Sequence, residues 1–166
     1  SIPEGVTAIA GWTFQSCGKL ETVTLPETVT TIGDCAFENC DILSSINLPE
    51  GLTSIGQYAF DDCKGMPSII IPVNLTNFGK DAFKNCSAER ITELDSPAAH
   101  ALGKMGYSFK VKGTNYQLKY FYSWPTDTKP TYTEFTRADM DAESVDVPEC
   151  VDRIAGSAFY NRKKLS

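Results

Sequence analysis

Histidine is the scarcest functional residue in this chain: only His100 occurs among 166 residues. That scarcity removes most acid–base chemistry, because a cysteine or serine nucleophile needs a neighbouring base to activate it. There is also no phosphate-binding glycine loop, zinc-ligand spacing or serine elbow. No catalytic residue, metal or cofactor is therefore assigned, and an enzyme is not expected. No apolar run approaches the roughly 18 residues of a membrane span, so no membrane-crossing segment is predicted. The first residues lack the charged, apolar and small-residue order of a signal peptide. A basic stripe is missing as well: the formal charge is -6 and the cations are scattered, which argues against nucleic acid as a partner.

What the chain does have is a repeat. Four units from Ile2 to Glu93 align without a gap at a period of 23 residues, and a fixed period of that length predicts a solenoid. Each unit carries an apolar triplet: Leu20, Val23, Leu25; then Leu43, Ile46, Leu48; then Met66, Ile69, Ile71. The spacing is similar to the strand of leucine-rich repeats. It predicts an α/β, leucine-rich-repeat, right-handed solenoid, rich in strands and with short helical turns on its convex side. Pro26, Pro49 and Pro72 follow the strands, where a missing N–H is tolerated. A second apolar set follows at Val29 and Ile32, Leu52 and Ile55, Leu75 and Phe78. Gly33, Gly56 and Gly79 come next and are expected at positive φ. The Ala-Phe pairs Ala36-Phe37, Ala59-Phe60 and Ala82-Phe83 are expected to fill the interior. Ser1 to Pro3 falls at the last strand position of a unit, which suggests upstream sequence removed by processing or by design.

The glycine, Ala-Phe and cysteine spacing, with Leu-Pro-Glu opening the unit, closely resembles the BspA-like subclass of leucine-rich repeats. The resemblance covers Ile2 to about Glu93 and returns from Ala142 to Ser166. It implies a secreted or cell-surface protein that binds another protein, such as a host or matrix protein, in adhesion.

Cys17, Cys40, Cys63 and Cys86 are each 23 residues apart, so they occupy one equivalent site per coil. Parallel side chains in one column point the same way, which predicts buried structural thiols and not a disulfide framework. Ser96, Pro97 and Gly106 mark the cap, start and end of a short helix carrying His100, there expected to be merely solvated. Asp139, Asp141 and Glu143 look like the opening of a calcium loop. The match fails at Ser144, where glycine is required, and at Cys150, where glutamate is required.

The chain thus divides into residues 1–93, four leucine-rich units; 94–141, a capping helix and an aromatic insertion; and 142–166, a resumed repeat. Residues 107–135 hold half the aromatic residues. Tyr116, Leu118, Tyr120, Tyr122 and Trp124 alternate with other residues at the period of a strand, and Thr131 to Thr136 can return as its hairpin partner. These rings either plug the open end of the repeat run or, as Tyr120, Tyr122 and Trp124, form a contact surface for protein or glycan. The outward positions of the repeat strands read Thr22 and Thr24, Ser45 and Asn47, Ser68 and Ile70, Ile91 and Glu93, a small and mostly neutral face of which Thr22, Thr24, Ser45, Asn47 and Ser68 are the other candidate ligand-binding residues. Three functions follow: a protein-binding module, a glycan-binding module using the insertion, or an architectural stalk segment.

Overall fold

The computed structural model describes residues 1–122, 127–130, 132–138, 147–149, 151–156 and 158. The chain falls into two compact units, Ser1–Ile91 and Thr92–Ser166.

In the first unit each coil contributes two short strands. In chain order these are β1 (Ala8–Ile9), β2 (Thr22–Val23), β3 (Thr31–Ile32), β4 (Ser45–Ile46), β5 (Ser54–Ile55), β6 (Ser68–Ile70), β7 (Asn77–Phe78) and β8 (Glu89–Thr92). β1, β3, β5 and β7 form one parallel sheet in which Ile9, Ile32, Ile55 and Phe78 lie side by side and are buried. β2 pairs with β4, and β6 with β8, again in parallel. The sequence placed the Val29–Ile32 set inside without assigning it a strand. Two-residue strands are too short to show the alternation by which strands are recognised.

The interior is a set of columns, one residue per coil. Phe14, Phe37, Phe60 and Phe83 stack with successive centroids 5.2, 5.3 and 5.5 Å apart and nearly parallel planes. Phe37, Phe60 and Phe83 are buried, each worth roughly 1.5–3 kcal/mol, and Phe14 is half-buried. The Cys40 and Cys63 thiols each donate to the carbonyl of the phenylalanine on the preceding coil, Phe14 and Phe37, at 3.1 Å. Cys17, Cys35, Cys40, Cys63 and Cys86 are free thiols; of the column, Cys40 and Cys63 are buried as expected, while Cys17 and Cys86 at its ends are half-buried. Burial raises the Cys40, Cys63 and Cys86 pKa values, so these thiols stay protonated at neutral pH and serve as packing.

The stretch expected to be helical is instead a ladder between coils. The N–H groups of Cys35, Phe37 and Asn39 donate to Gln57, Ala59 and Asp61 on the next coil at 2.8–2.9 Å, while Ala36, Glu38 and Cys40 close local turns three residues back. Positive φ at Trp12, Cys35, Tyr58 and Asp81, and again at Ser16, Asn39, Asp62 and Asn85, prevents these turns from propagating as helix.

The repeat glycines have a different purpose from the expected one, since positive φ falls elsewhere in the coil. A Cβ on Gly33 would lie 2.5 Å from Gly11 N, one on Gly56 2.5 Å from Asp34 N, and one on Gly79 2.2 Å from Gln57 N. Each glycine lets its backbone press against the coil before it. The equivalent residue of the first coil is Ala10, which is exposed. The last coil also departs from the 23-residue register: Ile69 lies opposite Arg90 and Ile70 opposite Ile91, an offset of 21 residues. Ile91 therefore does not occupy the Ser68 position, as the ungapped alignment had it.

The second unit opens with α1 (Pro97–Lys104), capped by Ser96 Oγ accepting from Ala99 N at 3.1 Å. Gly106 follows at φ 80°, as the turn residues predicted. Three antiparallel strands come next: β9 (Phe109–Val111), β10 (Tyr116–Phe121) and β11 (Tyr132–Ala138). The hairpin of β10 and β11 was predicted, but β9 was not. Phe109, Leu118, Tyr120 and Phe135 are buried, as are Ala98, Ala99 and Leu102 of α1. Gly103 sits so close that an added Cβ would meet Tyr120 Cβ at 2.6 Å.

The returning repeat is built on the hairpin. β12 (Arg153–Ile154) runs parallel to β11, with Asp152 N donating to Thr133 O at 3.0 Å and Ala155 N to Phe135 O at 2.9 Å. These bonds reproduce Thr30 N to Thr7 O and Gly33 N to Ile9 O in the first unit, at 2.9 and 2.8 Å. Thr133–Phe135 thus stands where a preceding coil would stand. Val145, Phe159 and Leu165, which the repeat pattern also aligned, lie outside the described residues.

The close approach at the glycines predicts unequal costs for one methyl group. Gly56→Ala should destabilise the chain by about 2–3 kcal/mol through backbone overpacking, and Ala10→Gly by less than about 1 kcal/mol. Urea melts of the two variants check this, and equal losses would contradict the account.

Candidate functional site

Two regions bring predicted site residues together. The first is the outward row of the repeat strands. Thr22 and Ser45 are direct neighbours across β2 and β4, Ser68 lies on β6, and all three are exposed, as is Thr24. β4 lies beside β6, so the row is continuous over three coils. Small hydroxyl residues occupy outward positions while Val23, Ile46 and Ile69 point inward and are buried, the alternation expected of a strand with one solvated face. Ile70, at the end of this row, is 59% exposed. It is the large exposed apolar side chain among the described residues of β2, β4 and β6, and half-buried Ile91 of β8 lies opposite it.

Asn47 has a different role from the other four. Its Nδ2 donates to Leu25 O at 2.9 Å and its Oδ1 accepts from Leu25 N at 2.8 Å. The amide is spent on the neighbouring coil, where it extends the short β2–β4 ladder, so Asn47 holds the face together and is not free for a ligand.

The second region lies in the other unit, around α1 and β10. Tyr120 was offered as part of an aromatic contact surface, and this is corrected: its side chain is 1% exposed. Its ring packs edge-on against Phe109 with centroids 5.0 Å apart, and its hydroxyl donates to Asp95 Oδ1 at 2.8 Å. The alternation in β10 turns Tyr120 inward beneath α1, where only an aromatic with a polar tip can fill the space and reach Asp95. Tyr122 is half-buried, and Trp124 lies outside the described residues, as do Asp139, Asp141 and Glu143.

His100 is not the solvated helix residue the sequence suggested. Its Nδ1 lies 2.6 Å from Tyr122 Oη, its ring packs on Tyr120 with centroids 5.1 Å apart, and its Nε2 is 4.0 Å from Asp95 Oδ1. Burial, and then the Asp95 carboxylate, push the Tyr122 phenol up to about 12. The phenol therefore stays protonated, and the direction of its hydrogen bond with Nδ1 follows the histidine tautomer. Burial lowers the His100 pKa from 6.5, Asp95 raises it, and Lys104 lowers it further. Lys104 Nζ lies 5.5 Å from the Tyr122 ring centroid, a cation–π contact. A shallow cavity of about 200 Å³ opens beside this cluster, lined by Gly103, Lys104, Gly106, Lys119, Tyr120 and Tyr122. The available signal was the inward alternation of β10 combined with the helix, which places His100 over the strand.

Among the described residues, no three His, Cys, Asp or Glu side chains converge on a possible metal position. No described helix is long and apolar enough to cross a membrane.

Parallel strands stacked coil on coil over columns of phenylalanine and thiol define a leucine-rich-repeat solenoid. The family model described as BspA type leucine rich repeat region matches residues 1–99 in six copies, and the chain belongs to that family. Families of this kind are typically non-enzymatic interaction or surface repeat modules. Among solved structures, a leucine-rich repeat protein from Bacteroides ovatus is 35% identical over 53% of this chain and 25% of its own, with a TM-score of 0.48. A leucine rich cell surface protein from Faecalibacterium prausnitzii is 22% identical over 99% of this chain and 45% of its own, with a TM-score of 0.53. This chain spans a quarter and under half of their respective lengths. The second likeness extends the shared fold across both units. No curated protein matches the chain.

The His100 environment predicts acid sensitivity. The unfolded chain takes up a proton near pH 6.5 while the folded histidine resists it, so stability falls as pH drops below 6.5 toward the lowered folded value. His100→Gln should flatten that part of the stability–pH curve. Chemical melts from pH 7.5 to 5 read this directly, and a curve unchanged by the substitution would contradict it.

Proposed function

We propose that this chain is an extracellular or surface-displayed module that binds a protein through the outward row of β2, β4 and β6. Thr22, Thr24, Ser45 and Ser68 offer hydroxyls on a rigid backbone, and Asn47 locks two coils in register. The observation that carries the reading is Ile70: a large apolar side chain left exposed at the end of a small, neutral row. Such an anchor, flanked by hydrogen-bonding groups, fits a protein surface with an apolar spot and a polar rim. The BspA-type repeat supports the same class of function, and placement outside the cell follows from that class. The two alternatives are a glycan-binding role for the insertion, from which the buried Tyr120 is now removed, and a stalk role. No substrate, cofactor or metal enters this function.

The test is capture on a panel of immobilised extracellular-matrix proteins, with a glycan array in parallel. Wild type should bind at least one matrix protein. Ser45→Arg and Ile70→Glu should each weaken capture at least about fivefold with unchanged melting. Binding that survives both substitutions would refute this face, and silence on both panels would favour the stalk.

A further inference from the structure

We propose that Trp12 and Tyr58 form the two walls of a slot that takes one ring of a neutral saccharide, with Cys35 as its floor. The slot lies in the turn stretch of the coils, away from the β2, β4 and β6 strands, and is independent of the protein-binding reading.

Trp12 is the first wall. Its backbone is left-handed at φ 59°, a conformation that is an outlier for a bulky side chain. Its side chain is nevertheless 62% exposed. The indole makes no hydrogen bond or ring contact among the described residues. The left-handed backbone recurs at this position in every coil, but the uncovered indole is particular to Trp12 and does nothing for the core, which points to use at the surface.

The repeat supplies the second wall. Trp12, Cys35 and Tyr58 occupy the same position on consecutive coils with φ of 59°, 54° and 55°, so their side chains leave the backbone in the same direction. The inter-coil ladder fixes their spacing: Trp12 N donates to Asp34 O, Cys35 N to Gln57 O and Tyr58 N to Lys80 O. One coil step, read from the phenylalanine column, is 5.2–5.3 Å. Two steps separate the walls by about 10 Å, which leaves a ring between them about 5 Å from each, within stacking range. The small Cys35 keeps the middle open. Lys84 Nζ lies 5.6 Å from the Tyr58 ring centroid. Lys84 comes from the following coil, so it covers the side of Tyr58 away from Trp12.

The rim selects the ligand. Gln15 Nε2 donates to the Glu38 carboxylate at 2.6 Å, and burial and then that carboxylate raise the Cys35 thiol pKa. Asp34 Oδ1 accepts from Gln57 N. Acceptors and an amide at the edge of two apolar walls suit a ring with hydroxyls on its rim and C–H groups on its faces. An aromatic side chain would leave the polar rim unused, and an anionic sugar would meet Asp34 and Glu38.

The experiment uses the full chain with Trp124→Phe, so that Trp12 is the sole indole. Cellohexaose, chitohexaose and an oligogalacturonate are titrated while Trp12 emission and its quenching by acrylamide are followed. At least one neutral oligosaccharide should give a saturable emission change and shield the indole, while the anionic oligosaccharide should not. Tyr58→Ala should weaken that binding at least about fivefold. Trp12→Gly, which suits the left-handed backbone and should fold at least as well, should abolish retention on the immobilised oligosaccharide without affecting capture through Ser45 and Ile70. A linear, unsaturable response to every neutral oligosaccharide would overturn the proposal. So would equal binding by the Tyr58→Ala variant, or shielding of Trp12 by a matrix protein and by no saccharide.

Discussion

Everything in the first unit depends on one distance, the step from coil to coil of about 5 Å set by backbone hydrogen bonding between parallel strands. The step forces glycine wherever one coil presses on the last, because a methyl group at Gly33, Gly56 or Gly79 would enter the preceding backbone. The same spacing puts successive phenylalanines at stacking distance and lets the Cys40 and Cys63 thiols reach a carbonyl one coil back. Ala10, at the equivalent position of the first coil, is exposed. A single spacing thus selects the residue type at several positions of the repeat.

The second unit meets the same demand with a different element. β11 offers Thr133 O and Phe135 O at the positions that Thr7 O and Ile9 O hold in a repeat coil, and β12 pairs with it as β3 pairs with β1. A hairpin strand therefore serves as the template on which a repeat resumes. Ala155 replaces the glycine at this point, as Ala10 does in the first coil.

The columns were legible in the sequence because a residue type at a fixed interval reports an environment that recurs. Cys17, Cys40, Cys63 and Cys86, the Ala-Phe pairs and the strand prolines all declared themselves in this way. Features shorter than the detectable period did not: the β1–β3–β5–β7 sheet has two residues per strand, and β9 has three. The reason for the glycines was misread because positive φ and close approach demand the same residue. Only coordinates separate them, and they put the left-handed backbone on Cys35 and Asn39 instead. Tyr120 and His100 were misjudged because their surroundings come from α1 packing on β10, a long-range contact that no local pattern encodes. Of the candidate surface, Thr22, Thr24, Ser45, Ser68 and Ile70 were readable from alternation, whereas the exposure of Trp12 emerged only in three dimensions.

If the spacing between coils governs the first unit, the amides that cross from coil to coil must be its most protected. Native-state hydrogen exchange at Cys35, Phe37, Asn39, Tyr58, Phe60 and Asp62 measures this. These amides should exchange together, with one common opening free energy close to that of global unfolding. Fast, independent exchange at these six positions, with protection confined to the local turn amides of Ala36 and Glu38, would contradict the account.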